Sequence, residues 1–176
     1  MSIDFTKVKA KILSKDDNLT SFICGKKPID EFIQNEALEF QNERLGVSYV
    51  FRYNDEVIGF LTLSMADLKK KKLLTIDRIK AGKEIGKENY PALQISQLAV
   101  RQDLIEKGIG TFLCDFSLAM AYKLSEQVGC RFLVLNAKAD AVGFYEKYGF
   151  TLLPNQKRRE EPVMFLNIFN KLKIKL

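Results

Sequence analysis

The stretch LAVRQDLIEKGIGTFLCDF, residues 98–116, carries residues whose types and spacing could do chemistry. An apolar run ends at Val100, mostly polar residues follow, and Gly108-Ile109-Gly110 opens onto a renewed amphipathic pattern. A helix start presents backbone N–H groups without intrahelical acceptors and the positive end of the helix dipole. Two glycines let the main chain approach a ligand without obstruction by Cβ atoms. Such a turn suits a pyrophosphate-like anion, to which Lys107 and Thr111 could add a charge and a hydroxyl. A tight turn that holds nothing is the competing reading. The nucleoside-triphosphate pattern GxxxxGKS/T is absent, and GxGxxG fails because position 113 is leucine.

The rest of the composition narrows the chemistry. The chain has no histidine, which excludes Ser-His-Asp and Cys-His nucleophile systems and leaves few good ligands for a catalytic metal. A general acid or base must therefore be Asp, Glu, Lys, Tyr, Cys or water. Cys24, Cys114 and Cys130 are odd in number and far apart, so neither a disulfide framework nor a zinc site is expected. A net charge of +6 suggests an anionic partner, either nucleic acid or a polyphosphate cofactor, or else a solvated basic surface. The 176 residues suit a single domain, residues 1–176, with a sizeable core. No run approaches the roughly 18 apolar residues of a membrane span, and MSIDFTKVKAKIL lacks a signal-peptide core. A cytoplasmic location is the expectation.

These residues must be positioned by regular elements. KVKAKIL (7–13) alternates as a half-buried strand does. PIDEFIQNEALEFQNER (28–44) reads as a helix with Pro28 in its first turn and Ile29, Phe32, Ile33, Ala37 and Phe40 on one face. VSYVFRY (47–53) and EVIGFLTLSM (56–65) flank Asn54-Asp55 as a hairpin. Residues 66–90 look least regular, and Lys69 to Lys72 read as a helix face or a basic loop. ALQISQLAV (92–100) reads as a central strand, followed by a helix over 108–127 with Leu113, Phe116, Met120 and Leu124 at helical spacing and Gly129 at its stop. RFLVLNA (131–137) is a buried strand, DAVGFYEKYG (140–149) a short helix, and 150–154 and 162–169 are two more strands. Alternating units of this kind predict an α/β (α+β) fold with a mixed sheet and helices on its faces.

QLAVRQDLIEKGIGTFL, followed by NAKADAVGFYEKYGF, resembles the acetyl-CoA-binding core of the GNAT superfamily of N-acetyltransferases. The core match covers 92–152, and the preceding element order agrees with it. The resemblance implies a mixed central sheet of roughly six to seven strands with about four helices. It also implies acetyl-CoA as cosubstrate, with no metal, and a glycine turn that holds the CoA pyrophosphate on backbone amides. Glu106, Lys107, Gly108, Ile109, Gly110 and Thr111 occupy that turn, and Asn136 and Phe144 fall in the second segment, beside the pantetheine. Two positions depart from the family pattern. Ile105 and Glu106 stand where a Gln or Arg precedes the turn, bringing a negative charge near the phosphate. Lys138 stands where many members carry Asn, and either meets a phosphate or faces water.

The same resemblance assigns chemistry. Acetyl transfer needs a bound thioester, a neutral amine, an oxyanion donor and a proton for the leaving thiolate. The strand before the turn splays from its neighbour in GNAT folds, which makes the backbone N–H groups of Leu98, Ala99 and Val100 the carbonyl donors. Tyr145 matches the tyrosine that many members use as general acid, and a phenol of pKa about 10 keeps its proton near neutrality. An aromatic packing role is the alternative for Tyr145, and the expected role of Tyr148. Glu39, Glu43 and Asp67 border the acceptor side in this fold without singling out a base.

FICGKKPIDEFIQNEALEFQNERLGVSYVF (22–51) with EVIGFLTLS (56–64) is similar to a narrower subgroup that includes tRNA-acetylating toxins of toxin–antitoxin pairs. The resemblance leaves three functions open: a general amine acetyltransferase acting on a small molecule or protein, an enzyme acting on aminoacyl-tRNA and silenced by an antitoxin, or a non-catalytic acyl-CoA-binding module. It also makes a homodimer a candidate assembly, with no membrane association.

Overall fold

The computed structural model describes residues 3–69, 89–156 and 158–173. Its strands are β1 (Lys9–Ile12), β2 (Val47–Tyr53), β3 (Glu56–Lys69), β4 (Asn89–Val100), β5 (Phe132–Asn136), β6 (Thr151–Leu152) and β7 (Val163–Asn167). The helices are α1 (Lys27–Glu31), α2 (Ala37–Asn42), α3 (Ile109–Gln127), α4 (Val142–Tyr148) and α5 (Ile168–Lys173), with α1 and α2 joined through a π-turn at Phe32–Glu36. The strands lie in the order β1-β2-β3-β4-β5-β7-β6. β4 runs parallel to β5, while β1–β2, β2–β3, β5–β7 and β6–β7 are antiparallel, so the sheet is mixed as expected. By contact the chain divides into two units, Met1–Ser64 with Ser96–Phe116, and Met65–Ile95 with Ser117–Leu176.

In the first unit the β2–β3 hairpin forms as the sequence predicts. Asn54 and Asp55 both take positive φ, 51° and 64°, the twist that joins two strands through two residues. β3 runs to Lys69, so Ala66–Lys69 belong to a strand rather than to the irregular segment expected, while positions 70–72 of the lysine run lie outside the described residues. β1 is exposed along its whole length, not half-buried; alternation identifies a strand but not whether anything covers its inner face.

The interrupted helix follows from a four-residue spacing. Ile29, Ile33 and Ala37 are buried, and Gln41 donates to the Leu13 carbonyl at 2.9 Å and accepts from the Ser48 N–H at 3.0 Å. A straight α-helix advances about 100° per residue, so the path from Ile29 to Gln41 would drift by about 120° around the axis. The π-turn absorbs one residue and cuts the drift to about 20°, keeping all four on one stripe. That stripe closes a core with Leu13, Leu19, Phe22, Val50, Phe60 and Ala99.

Asp17 anchors the far edge of this unit. Its side chain is 1% exposed and binds Lys11 Nζ at 2.7 Å, Arg52 Nη2 at 3.2 Å, and the Ser14 N–H and hydroxyl at 3.0 Å each. Burial pushes its carboxyl up, but Lys11, Ser14 and Arg52 together prevail and hold it at about 2. A folded-state pKa below the unfolded value of about 3.9 gives stability that is full above that value and lost as pH falls through about 2. Asp17→Asn should therefore cost about 1–2 kcal/mol near neutral pH and almost nothing near pH 2, read from urea midpoints at the two conditions. An equal cost at both would show that packing, not charge, sets the contribution.

In the second unit β5 is the central strand, buried from Phe132 to Leu135 between β4 and β7. Leu68, Ala92, Phe132, Val134, Leu153 and Phe165 form its core. The segment 162–169, expected as one strand, turns helical at Ile168, which is fully buried. The Asn167 side chain accepts the Phe169 N–H at 3.2 Å and so caps α5, and the Arg131 guanidinium lies over the Phe169 ring at 4.9 Å.

Candidate active site

The first unit builds the strand–turn–helix. β4 ends at Val100, and the Arg101 N–H then donates to the Ile58 carbonyl at 3.1 Å. A single 3₁₀ turn, Gln102–Leu104, is pinned by the Gln102 N–H to the Ile23 carbonyl at 2.9 Å and by the buried Leu104 side chain. The chain then passes through positive φ at Glu106 (66°) and Gly108 (83°). The first helical bond of α3 is Phe112 N–H to the Gly108 carbonyl at 3.1 Å, which makes Gly108 the N-cap. The N–H groups of Ile109, Gly110 and Thr111 thus precede the first acceptor within the helix, as an anion site requires.

The start of α3 is held firmly. A Cβ on Gly59 would stand 3.2 Å from Leu113 and 3.3 Å from Ile109, so the missing side chain on β3 is what lets the helix sit this close. Phe112 stacks on Phe5 at 5.1 Å and meets Phe51 edge-on at 6.1 Å. The buried stripe of α3 is Ile109, Leu113, Cys114, Ser117, Leu118 and Ala121, while the expected Phe116, Met120 and Leu124 are half-buried. Residues 105–108 are exposed, with Ile105 53% exposed.

Charge at the turn is sparse. Arg101, whose sequence context carries no sign of a role, grips Asp103 at 2.7 and 3.1 Å and Glu56 at 2.8 Å. These hydrogen bonds, to Asp103 first, raise its guanidinium pKa and hold that of the exposed Asp103 down. With Arg101 already paired, backbone amides, Lys107 and the exposed Thr111 hydroxyl are what the turn offers an anion. Leu98 and Val100 are half-buried and Ala99 is buried. The parallel ladder to β5 runs only from Ala92↔Phe132 to Ile95↔Leu135, five residues short of the end of β4.

Asn136, Phe144 and Tyr145 lie in the second unit. Asn136 ends β5, exposed and in register with Val163. A 3₁₀ turn, Ala139–Ala141, leads into α4, where Tyr145 is 7% exposed, with its ring edge-on to Phe144 at 5.0 Å and to Phe150 at 5.5 Å. The end of α4 is closed by the Gly149 and Phe150 N–H groups on the Tyr145 carbonyl, at 3.1 and 2.9 Å. Tyr148 packs with Phe150 and carries the Lys171 ammonium over its ring at 4.5 Å, the packing role expected of it. Lys138 is paired with Glu161, and both side chains stand 44% exposed to solvent.

Glu39, Glu43 and Asp67 are exposed. All three cysteines are buried and none is in a disulfide; burial first, then Asp30, pushes the Cys24 thiol up to about 11. Among the described residues no group of three or more His, Cys, Asp or Glu could hold a metal, and no helix is long and apolar enough to cross a membrane.

Residues 14–150 match the family described as Acetyltransferase (GNAT) family, and the chain belongs to it. A curated relative, the tRNA-acetylating toxin of Mycobacterium tuberculosis, is 22% identical over 143 residues, 81% of this chain and 83% of its own length. The solved structure of AtaT complexed with acetyl-methionyl-tRNAfMet is 21% identical, with a TM-score of 0.84 over 96% of this chain and 99% of that one. A tyrosine-to-phenylalanine mutant of the AtaT toxin, bound to the C-terminus of the antitoxin AtaR and acetyl-CoA, is 19% identical with a TM-score of 0.76, covering 96% and 98%. These likenesses establish the fold.

Proposed function

We propose that the chain, residues 1–176 as one N-acetyltransferase domain, transfers acetyl from acetyl-CoA to a primary amine in a direct ternary complex. The observation that carries this reading is the turn at Gly108, whose left-handed backbone opens α3 with three N–H groups ahead of the first helical acceptor. Membership of the acetyltransferase family supports it. Glu106 through Thr111 would hold the pyrophosphate, Asn136 and Phe144 would border the pantetheine, and the thioester supplies the acetyl group. Backbone N–H groups of Leu98, Ala99 and Val100 would stabilise the oxyanion as the amine nitrogen attacks the carbonyl carbon. Tyr145 would give its hydroxyl proton to the thiolate as the carbon–sulfur bond breaks.

The acceptor we favour is the α-amino group of aminoacyl-tRNA. A tRNA-acetylating toxin among the relatives, a structural neighbour complexed with acetyl-methionyl-tRNAfMet, and the +6 net charge all favour it. On that reading the enzyme acts in the cytoplasm and an antitoxin is its partner; a homodimer is compatible with either acceptor.

Calorimetric titration with acetyl-CoA tests the reading, run beside Gly110→Trp and Tyr145→Phe. Binding that survives in the tyrosine variant and fails in the glycine variant is the expected result. No binding by the unmodified protein would overturn the enzyme and the binding-module readings together. Binding without transfer to aminoacylated tRNA or to small primary amines would leave the module.

A further inference from the structure

A row of hydroxyls crosses the sheet in the first unit. Ser48 on β2 and Thr62 on β3 are register partners, fully buried, with their oxygens 2.9 Å apart. Two residues further along β3, on the same face, Ser64 lies 2.6 Å from Ser96 of β4, oxygen to oxygen. This is the face that carries α1 and α2: Phe60, two residues before Thr62, packs in the core with Ile29, Ile33 and Ala37. Gly59 and Leu61 belong to the other face, where α3 sits.

The two pairs differ in what they leave over. Two hydroxyls hold two protons and four lone pairs, and one mutual hydrogen bond uses one of each. The Ser48–Thr62 pair is sealed beneath the sheet's cover. The Ser64–Ser96 pair is half-buried, and neither hydroxyl has a further partner among the described residues. A polar pair in strands otherwise lined by Phe60, Val50 and Ala99 therefore keeps one donor and several lone pairs on offer where solvent reaches. Ser96 is two residues, about 6.6 Å along an extended strand, before Leu98, the first of the amides assigned to the thioester carbonyl.

We infer that the Ser64–Ser96 pair receives the acceptor amine and relays its proton; the inference rests on the acetyltransferase reading above. One amine N–H donates to a serine oxygen and aims the nitrogen lone pair. As the carbon–nitrogen bond forms, that proton passes to the serine, which hands its own through the second hydroxyl to water. The carbon–sulfur bond breaks, the thiolate takes the Tyr145 proton, and the phenolate recovers one from solvent. The sum is amine plus thioester to amide plus thiol. Neither serine holds a net charge, so a catalytic carboxylate is not required, consistent with the exposed Glu39, Glu43 and Asp67.

The test is steady-state transfer from acetyl-CoA to total aminoacylated tRNA and to a panel of small primary amines, by the unmodified protein and by Ser96→Ala, Ser64→Ala, Ser96→Thr and Ser48→Ala. Calorimetric binding of acetyl-CoA to each variant serves as the check on folding. The inference expects both alanine variants at positions 64 and 96 to lose about 10- to 100-fold in kcat/KM for the amine with acetyl-CoA affinity kept. Ser96→Thr, which restores a hydroxyl, should recover most of it, and Ser48→Ala should transfer normally. Unchanged kcat/KM in both alanine variants would overturn the inference alone. An unmodified protein that transfers acetyl to no acceptor would overturn it together with the reading on which it rests.

Discussion

Tyr145→Phe should lower kcat by about 10²- to 10⁴-fold and leave acetyl-CoA binding as it was. The substitution removes one oxygen and keeps the ring, so the edge-on contacts to Phe144 and Phe150 persist. What is lost is the proton for the departing thiolate, felt only once the carbon–sulfur bond begins to break. The deficit should therefore fall on kcat and kcat/KM equally. If the acceptor is aminoacyl-tRNA, the same variant should relieve growth arrest on expression. A kcat close to that of the unmodified protein would remove Tyr145 from the reaction and leave it as aromatic packing.

The second large effect is at Gly108. Gly108→Val should raise the Kd for acetyl-CoA at least tenfold, and the reason is conformation rather than space. A Cβ at this position would lie 3.4 Å from the Phe5 ring, an ordinary contact. The φ of +83° is another matter: a branched side chain there costs on the order of 1–3 kcal/mol, and the chain escapes by rotating the peptides that flank it. Those peptides belong to the proposed anion site, and about 1.4 kcal/mol is a factor of ten in affinity. Asn tolerates this region, so Gly108→Asn should bind nearly as well as glycine. Equal affinity in the valine variant would mean that the turn does not grip the phosphates.

Local signals in the chain foretold local structure. Asn54-Asp55 between two β-rich runs announced its hairpin, Gly108 announced the start of α3, and the apolar run at 132–135 announced a buried strand. Each is specified by neighbours a few residues away. Where the deciding partner is distant, the signal is missing. Arg101 reads as one more surface charge until Glu56, 45 positions earlier, is seen to hold it. Lys138 carries no mark of Glu161. Ser64 and Ser96 are unremarkable serines, 32 positions apart, until the strands bring their oxygens together. The end of β7 fails differently: NIFNKLK has apolar residues for either period, and only the Asn167 cap and the buried Ile168 decide for a helix.

The π-turn at Phe32–Glu36 bears on how this chain should be compared with others. It holds one residue more than an uninterrupted helix would need to present the same stripe. A relative without it would carry its inward positions at spacings of four, three and four where this chain has Ile29, Ile33, Ala37 and Gln41 at four, four and four. An alignment that forbids a gap inside a helix would push the mismatch outward and misplace every residue from there to the β2–β3 hairpin. The gap belongs within the five residues of the turn.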